Sequence, residues 1–180
     1  MKDAIRKILE AMGENPERTG LVDTPSTTAD ALCEITVGYS LDPPAILAAA
    51  VAPAEYDQMV VCGNIDLYSL CERHLLPFHG RCHVAFIPDR RCVSGEIVAR
   101  VVDAFARRLQ VQERLTAEIA AAIDTALAPL GVGVVIEAFH LCMAMRGVEK
   151  QNCNLVTSSL LGCFRDETAT RAEFMRLISR

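Results

Sequence analysis

The first 36 residues carry the apolar periodicity of two helices. Apolar side chains recur at helical spacing near the start of the chain, at Ile5, Ile8, Leu9 and Met12. This spacing predicts a helix that ends near Gly13. Thr24 as an N-cap, followed by Pro25 at the first helical position, predicts a second helix that continues to about Thr36. The alanine-rich segment 43–55 contains three prolines and is predicted to be a linker.

From Tyr56 onward the pattern becomes one that is typical of strands. Residues 59–70 (MVVCGNIDLYSL) and 80–88 (GRCHVAFIP) are rich in β-branched side chains and alternate between apolar and polar positions. Residues 134–145 (VVIEAFHLCMAM) and 154–164 (NLVTSSLLGCF) have the same character. The sequence therefore predicts four strands in two pairs.

Two long helices are predicted between the strand pairs, over residues 95–110 and 112–130, and a short one over 170–178. Their apolar stripes are Ile97, Val101, Val102, Phe105 and Leu109 in the first, and Leu115, Ile119, Ile123 and Leu127 in the second. Two strands, two helices and two strands predict an α+β fold, with the helices on one face of an antiparallel sheet. Residues 1–55 are expected to form an N-terminal helical extension, and residues 56–180 the catalytic domain.

Composition narrows the class of protein. Half of the 180 residues are apolar and tryptophan is absent, so the core is expected to be aliphatic. The net charge of −5 argues against nucleic-acid and anionic-membrane partners. No apolar run is long enough for a membrane span, and the charged N-terminus does not resemble a signal peptide. A cytoplasmic location is therefore expected, in which the eight cysteines are thiols or metal ligands and not disulfides.

One stretch of 20 residues, 67–86, contains two cysteines and three of the four histidines. Within it, Cys71 and His74 lie three residues apart, so both can reach one ion in a turn. A further ligand must come from elsewhere, and the best candidate is the triplet His140-Leu141-Cys142. Residues two apart in a strand face the same side, so His140 and Cys142 would point into one space. Two thiolates and one imidazole leave zinc an open position for water, as in catalytic sites.

The remaining cysteines and histidines have simpler interpretations. Free cysteine is among the most buried residue types, which favours packing roles for Cys33, Cys62, Cys92, Cys153 and Cys163. Cys82 alternates with Val84 and Phe86 and is assigned to an apolar strand face. His79 is predicted to be a turn residue and His83 a surface residue of a strand.

The ordered motifs of the chain resemble those of the GTP cyclohydrolase I family. The motifs are GLVDTP, CERHLLPFHG, AFIPD, ARRLQVQERLT, HLCMAMRGVEKQN and VTSSLLGCF. The resemblance covers nearly the whole chain and is specific from about Gln58 to the C-terminus. It implies the tunnelling fold, a four-stranded antiparallel sheet with two long helices on one face. It also implies that the subunits form pentameric rings that pair into a decamer, with active sites between subunits.

The resemblance implies a chemical role for each site residue. Zinc would be held by Cys71, His74 and Cys142. Zinc-activated water would attack C8 of guanine, after which the imidazole ring opens, formate leaves and the ribose rearranges into a dihydropterin. Gln112 and Glu113 would recognise the guanine, with the carboxylate facing its N–H donors. His140 would be the acid and base acting on the ring nitrogens.

The sequence departs from the family pattern mainly where phosphate is bound. The family metal turn Cys-Glu-His-His has become Cys-Glu-Arg-His, which replaces a histidine by Arg73, a cation that cannot act as a base. The family segment Gly-Leu-Ser-Lys aligns with 94–97, so that Glu96 and Ile97 replace a serine and a lysine that hold the triphosphate. Thr27 replaces an arginine that contacts phosphate.

Arg100 and Arg146 remain at matching phosphate positions. Three hypotheses follow. The first is a zinc hydrolase of this family that acts on a guanine-like ring with few or no phosphates, because cations have been lost and a carboxylate gained. The second is the ordinary reaction of GTP to 7,8-dihydroneopterin triphosphate, with Arg73 and other residues compensating. The third is a catalytically silent, zinc-binding paralogue that forms rings.

Overall fold

The structure is a computed structural model that describes residues 1–179. Its helices are α1 Lys2–Ala11, α2 Thr24–Ile35, α3 Pro43–Ala48, α4 Gly95–Ala106, α5 Gln112–Leu127, α6 Leu141–Ala144, α7 Cys163–Asp166 and α8 Thr168–Ile178. Its strands are β1 Ala52–Pro53, β2 Val60–Cys71, β3 Pro77–Ile87, β4 Arg91–Cys92, β5 Leu109–Gln110, β6 Gly131–His140 and β7 Asn154–Gly162. A 3₁₀ turn spans Val37–Ser40. No helix in residues 1–179 is long and apolar enough to cross a membrane.

The main sheet has five strands in the order β5-β2-β3-β6-β7. The four long strands are the predicted ones, and neighbours among them pair antiparallel. The fifth strand was not predicted: β5 pairs parallel with the end of β2, with Leu109 beside Leu70 and Gln110 beside Cys71. The α+β prediction is confirmed, but the sheet gains this two-residue strand because the helix predicted over 95–110 ends at Ala106.

Helices α4 and α5 cover one face of the sheet, as predicted. The predicted stripe of α5, from Leu115 to Leu127, is buried, whereas in α4 Val98 is buried and Ile97 only partly so. The opposite face is covered at one end by the C-terminal segment. There the rings of Phe164 and Phe174 pack edge to face, 5.5 Å between centroids. Burial of aliphatic side chains on both faces supplies most of the driving force for this fold.

The predicted linker contains a short helix, α3, so that part of the sequence interpretation was wrong. Prolines are tolerated in the first turn of a helix, where backbone N–H groups have no intrahelical partner. Asp42 caps α3 by accepting a hydrogen bond from the Ala45 N–H at 3.2 Å. Leu47 is fully buried in the same core as the sheet. The boundary at residue 55 between an extension and a catalytic domain stays a prediction.

His83 is buried, with 7% of its surface exposed, so its predicted surface position was wrong. A bulge in β2 turns the backbone N–H of Asn64 toward His83, and this N–H donates to Nδ1 at 3.2 Å. His79, predicted in a turn, lies in β3 and is exposed. Cys82 is fully buried on the helix-facing side of β3, as predicted.

His83 is expected to make the free energy of unfolding fall in acid. Burial lowers the pKa of His83, with Glu137 opposing and Arg81 reinforcing the shift. Because the folded-state pKa lies below the unfolded value of about 6.5, stability is complete above that pH. It is lost as the pH falls from there through the folded-state pKa. His83→Asn is expected to flatten this acid limb in urea titrations from pH 8 to 5, whereas His79→Asn should leave it unchanged. Equal acid limbs for wild type and His83→Asn would contradict the assignment.

Candidate functional site

Three potential metal ligands converge at the end of β2. Cys71 is the last residue of β2, His74 lies in the turn that follows, and Cys142 lies in α6. Their ligand atoms lie within 4.8 Å of one another, and Cys71 Sγ is 3.6 Å from His74 Nδ1. The turn is closed by the Cys71 carbonyl, which accepts hydrogen bonds from the His74 and Leu75 N–H groups at 3.3 and 2.8 Å. The predicted set of three donors is therefore brought together.

The sequence argument for Cys142 was wrong in one step. Residues 134–145 do not form one strand: β6 ends at His140, and Cys142 lies in the helical turn α6. The run Leu-Cys-Met-Ala favours this turn, since three of its four residues are good helix formers. His140 and Cys142 thus approach the same region by a change of backbone direction and not by strand alternation.

The chemistry of the donor set fits zinc. Two thiols and one imidazole match the three-ligand sites that keep one position open. Burial raises the pKa of the Cys142 thiol, and the adjacent Cys71 adds to that effect, whereas Arg146 opposes it. Two neighbouring thiols need a cation to share their negative charge when both ionise. A divalent ion between them meets that need.

His140, the last residue of β6 and two residues before Cys142, is held by Gln112, the first residue of α5. Its ring is 8% exposed and stacks on Phe78, with 4.5 Å between ring centroids. The Gln112 Nε2 group donates toward the carbonyls of Ile136 and Leu155, both at 3.0 Å, and toward Thr157 Oγ1 at 3.1 Å. These three oxygens fix the amide orientation, so Gln112 Oε1 must face His140.

This orientation also fixes the tautomer of neutral His140. The Gln112 Oε1 atom lies 2.8 Å from His140 Nε2, and an amide oxygen only accepts, so Nε2 carries the hydrogen. The lone pair is then on Nδ1. Burial lowers the pKa of His140, and the Glu113 carboxylate partly offsets this. His140 is therefore a neutral imidazole near pH 7, with one nitrogen free to accept a proton.

The Gln112 side chain does not face an open site, although the sequence interpretation assigned it to guanine recognition. It is 1% exposed and both amide hydrogens are used within the fold. Glu113, the next residue, is exposed in the first turn of α5, and no basic side chain within residues 1–179 lies within 4.0 Å of its carboxylate. Of these two residues, only Glu113 has a side chain that is free to bind a ligand.

Gln112→Ala is expected to cost about 1–3 kcal/mol of unfolding free energy, because buried carbonyls and the His140 N–H lose their partner. Urea denaturation measures this loss. We expect Gln112→Glu to lose part of the same stability, since a carboxylate cannot donate to the two carbonyls. Gln58→Ala, at an exposed position before β2, is the control and should change nothing. An unchanged midpoint for Gln112→Ala would contradict the described network.

Sequence reasoning missed Thr116 and Thr157, which complete this network. Thr116 Oγ1 donates to the Gln112 carbonyl at 2.7 Å and lies 2.7 Å from Thr157 Oγ1. Thr157 lies on the helix-facing side of β7, opposite Ile136. A signal was present, because a threonine that alternates with the apolar residues of a buried strand face must find a hydrogen-bond partner.

The predicted phosphate positions do not all lie near the metal ligands. Thr27 borders a groove with Leu70 and Leu75, so it lies beside the metal turn. The start of α4, which carries Glu96, Ile97 and Arg100, lies elsewhere: a Cβ on Gly95 would be 3.3 Å from Cys62 Sγ. That cysteine and the metal ligand at the strand's end lie nine positions apart along β2, a span of up to about 30 Å. Within one chain, the metal ligands and the start of α4 are therefore far apart.

Arg73 and Arg146 both lie at the metal end. Arg73 is exposed in the turn between the two ligands, and Arg146 is exposed just after α6. The predicted residues therefore fall into two groups. The group at the metal end is Thr27, Cys71, Arg73, His74, Gln112, Glu113, His140, Cys142 and Arg146. The group at the start of α4 is Glu96, Ile97 and Arg100.

Comparison with known proteins identifies the family. The family model for GTP cyclohydrolase I matches residues 1–179. The chain belongs to the GTP cyclohydrolase I family. Among its relatives, GTP cyclohydrolase 1 of Chlorobaculum tepidum is 53% identical over 178 residues, which cover 99% of this chain and 80% of the relative. GTP cyclohydrolase 1 of Leptospira biflexa is also 53% identical, over 99% of this chain and 97% of the relative. For GTP cyclohydrolase 1 of Methylococcus capsulatus the identity is 50%, over the whole chain and 97% of the relative.

A solved structure shares the fold. The crystal structure of the archaeosine synthase QueF-Like in the apo form matches 60% of this chain and 97% of its own, with a TM-score of 0.50 at 16% identity. At that identity the likeness concerns the fold alone. It agrees with the tunnelling-fold architecture implied by the family resemblance, since the sheet and its helices make up most of this chain.

Proposed function

We propose that this chain is a zinc-dependent hydrolase that opens the imidazole ring of a guanine-like purine carrying few or no phosphates. Guanosine, GMP, the free base or a related heterocycle would fit. The observation that carries the ring-opening part is the convergence of Cys71, His74 and Cys142 beside a neutral His140. The metal donors and the proton-transfer group of the family thus lie together at one end of the sheet.

Each residue at the metal end has a separate task in this proposal. Cys71, His74 and Cys142 would hold zinc, which when bound supplies the Lewis acidity that activates water for attack at C8. His140 Nδ1 accepts a proton as water adds and returns it to the ring nitrogen that leaves C8. Glu113 accepts hydrogen bonds from N–H donors on the base edge. Gln112 keeps His140 in the required tautomer.

The reduced-phosphate part of the proposal rests on the start of α4. A helix N-terminus attracts anions through its free N–H groups and dipole, but here the first turn carries the Glu96 carboxylate. No basic side chain within residues 1–179 pairs with Glu96. At an effective dielectric of 20, one like-charge contact at ~4 Å costs on the order of 4 kcal/mol before relaxation. That energy corresponds to roughly a thousandfold in affinity.

The site is proposed to form between subunits of a homo-oligomer. In one chain the start of α4 and the metal end lie about 30 Å apart along β2, so a nucleotide cannot touch both. A second copy would bring its Glu96, Ile97 and Arg100 to the first copy's zinc ligands. The family resemblance implies pentameric rings that pair into a decamer.

Ordinary GTP cyclohydrolase I activity is the alternative. The observation that favours it is an identity of 53% over 99% of the chain with proteins named GTP cyclohydrolase 1. Arg73 and other residues would then compensate for the missing lysine in binding the triphosphate, and the product would be 7,8-dihydroneopterin triphosphate. A catalytically silent zinc-binding paralogue is the third hypothesis, and the loss of the turn histidine to Arg73 favours it.

A substrate panel separates these functions. The zinc-loaded protein is offered GTP, GMP, guanosine, guanine and 8-substituted purines separately, while ultraviolet absorbance and formate release are followed. We expect formate from a substrate with one phosphate or none, at a kcat/KM above that for GTP. A higher kcat/KM for GTP would establish the ordinary reaction, and zinc binding with no turnover of any purine would establish the silent paralogue.

A further inference from the structure

Arg73 stands between two metal ligands without a partner of its own. Its side chain is exposed, and within residues 1–179 no carboxylate lies within 4.0 Å of its guanidinium. The neighbouring acid cannot neutralise it, because Glu72 is bound by Arg114 with 2.5 Å between Oε2 and Nη2. The Glu72 N–H is also engaged, since it donates to the Gln110 carbonyl at 3.1 Å. The turn is therefore anchored through its backbone and Glu72, and the Arg73 guanidinium is free.

The charges at the metal end favour one added anion. Two thiolates balance a divalent cation, so a filled metal cluster carries no net charge to offset Arg73. Arg146 is exposed two residues after the end of α6, the helix that carries Cys142, and pairs with no carboxylate in the described part of the chain. Glu113, exposed in the first turn of α5, is the carboxylate that the proposed function places at the base edge. Its place at the base edge leaves the two guanidinium groups for a separate anion.

At the start of α4, in contrast, the side chains disfavour an added anion. Glu96 and Ile97 stand at the positions where the family resemblance implies triphosphate binding, so a phosphate chain that reached them would meet a carboxylate and an apolar side chain. A single phosphate attached to the ribose lies near the base and ends before that region. Arginine suits this phosphate because its planar guanidinium can donate two parallel hydrogen bonds.

We propose that Arg73 is a specificity-determining residue that binds the single phosphate of a purine nucleoside 5′-monophosphate, with Arg146 contributing from α6. This inference rests on the proposed function and narrows its substrate class from few or no phosphates to one. On this inference, the replacement of the turn histidine by Arg73 changes which ligand is preferred and does not abolish ligand binding.

Binding measurements test the inference independently of turnover. Isothermal titration calorimetry on the zinc-loaded protein compares GMP, guanosine and GTP, for wild type, Arg73→Gln and Arg73→Lys. We expect wild type to bind GMP at least 10-fold more tightly than guanosine, and more tightly than GTP. Arg73→Gln should lose that preference while its affinity for guanosine stays the same, and Arg73→Lys should retain part of it. Arg90→Gln, an exposed arginine in the turn after β3, is the matched control and should behave as wild type.

Several outcomes would overturn the inference. These are equal affinities for GMP and guanosine in the wild type, no binding of either, tighter binding of GTP, or an unchanged GMP preference in Arg73→Gln. Zinc content and the urea midpoint of each variant establish that the site and the fold are intact. A preference for GMP with neither an ultraviolet change nor formate release would contradict the proposed ring opening and support the role of Arg73. Formate release with no effect of Arg73→Gln on GMP binding would support the ring opening and contradict the role of Arg73.

Discussion

Cys142→Ala is expected to release zinc and to reduce purine turnover by more than about 100-fold. Residues that only orient a metal ligand cost 10- to 100-fold on removal, so loss of a ligand itself should cost more. The remaining donors, Cys71 and His74, come from one turn, and two donors do not hold zinc in a closed geometry. Zinc per subunit by mass spectrometry and formate release measure the two effects.

Cys33→Ala is the matched control for that variant. Cys33 is exposed on α2 and is not part of the cluster, so zinc content and turnover should stay at wild-type values. Zinc bound at one equivalent by Cys142→Ala would contradict the assignment of this cysteine as a ligand. Comparing urea midpoints with and without a chelator shows whether zinc loss alone alters stability.

The double variant Glu96→Ser/Ile97→Lys is expected to raise the affinity for GTP by roughly 100- to 1,000-fold. It removes a carboxylate from the first turn of α4 and adds a cation beside it, and each change favours a polyphosphate. The effect on guanosine should be small, because guanosine carries no charge to meet either residue. Calorimetric titration with GTP and guanosine at fixed ionic strength measures both affinities.

Glu173→Ser serves as the control for this charge change, because Glu173 is exposed on α8 and its loss alters the net charge by the same unit as the loss of Glu96. GTP affinity should stay the same in this variant. If the double variant binds GTP no better than wild type, the start of α4 does not face the phosphates. The effect should also weaken as salt rises, because screening reduces exposed charge interactions.

The sequence predicted the fold well where one apolar period persisted. The α5 stripe, from Leu115 to Leu127, continues for more than two repeats, and its burial agrees with its periodicity. In β3 the alternation located the strand, but residues 82–86 are all buried, because the C-terminal segment covers the second face there. The ends of elements were less predictable. The segment after His140 keeps an apolar character through Met145, and nothing in its pattern distinguishes a strand from a helical turn. Segment 43–55 was misread because its prolines open a helix instead of preventing one.

The sequence predicted the three candidate metal ligands but not the hydrogen bonds of Gln112 that hold His140. Cys71, His74 and Cys142 were expected to meet, and their ligand atoms do lie within 4.8 Å. The burial of Gln112 was not expected, because its hydrogen-bond partners lie 24 to 45 residues away in the sequence. Local pattern carries no information about such contacts. They arise only when α5 packs on β6 and β7.

The separate anchoring of the metal turn has a consequence for how specificity can change. Glu72 ties the turn to α5 through Arg114, and the Cys71 backbone closes it, while the side chain of residue 73 takes part in neither contact. A substitution at position 73 can therefore change what approaches the three candidate ligands without disturbing how they are positioned. Under the proposed function, the anchored part of the turn positions the candidate metal ligands, and the side chain at position 73 contacts the substrate.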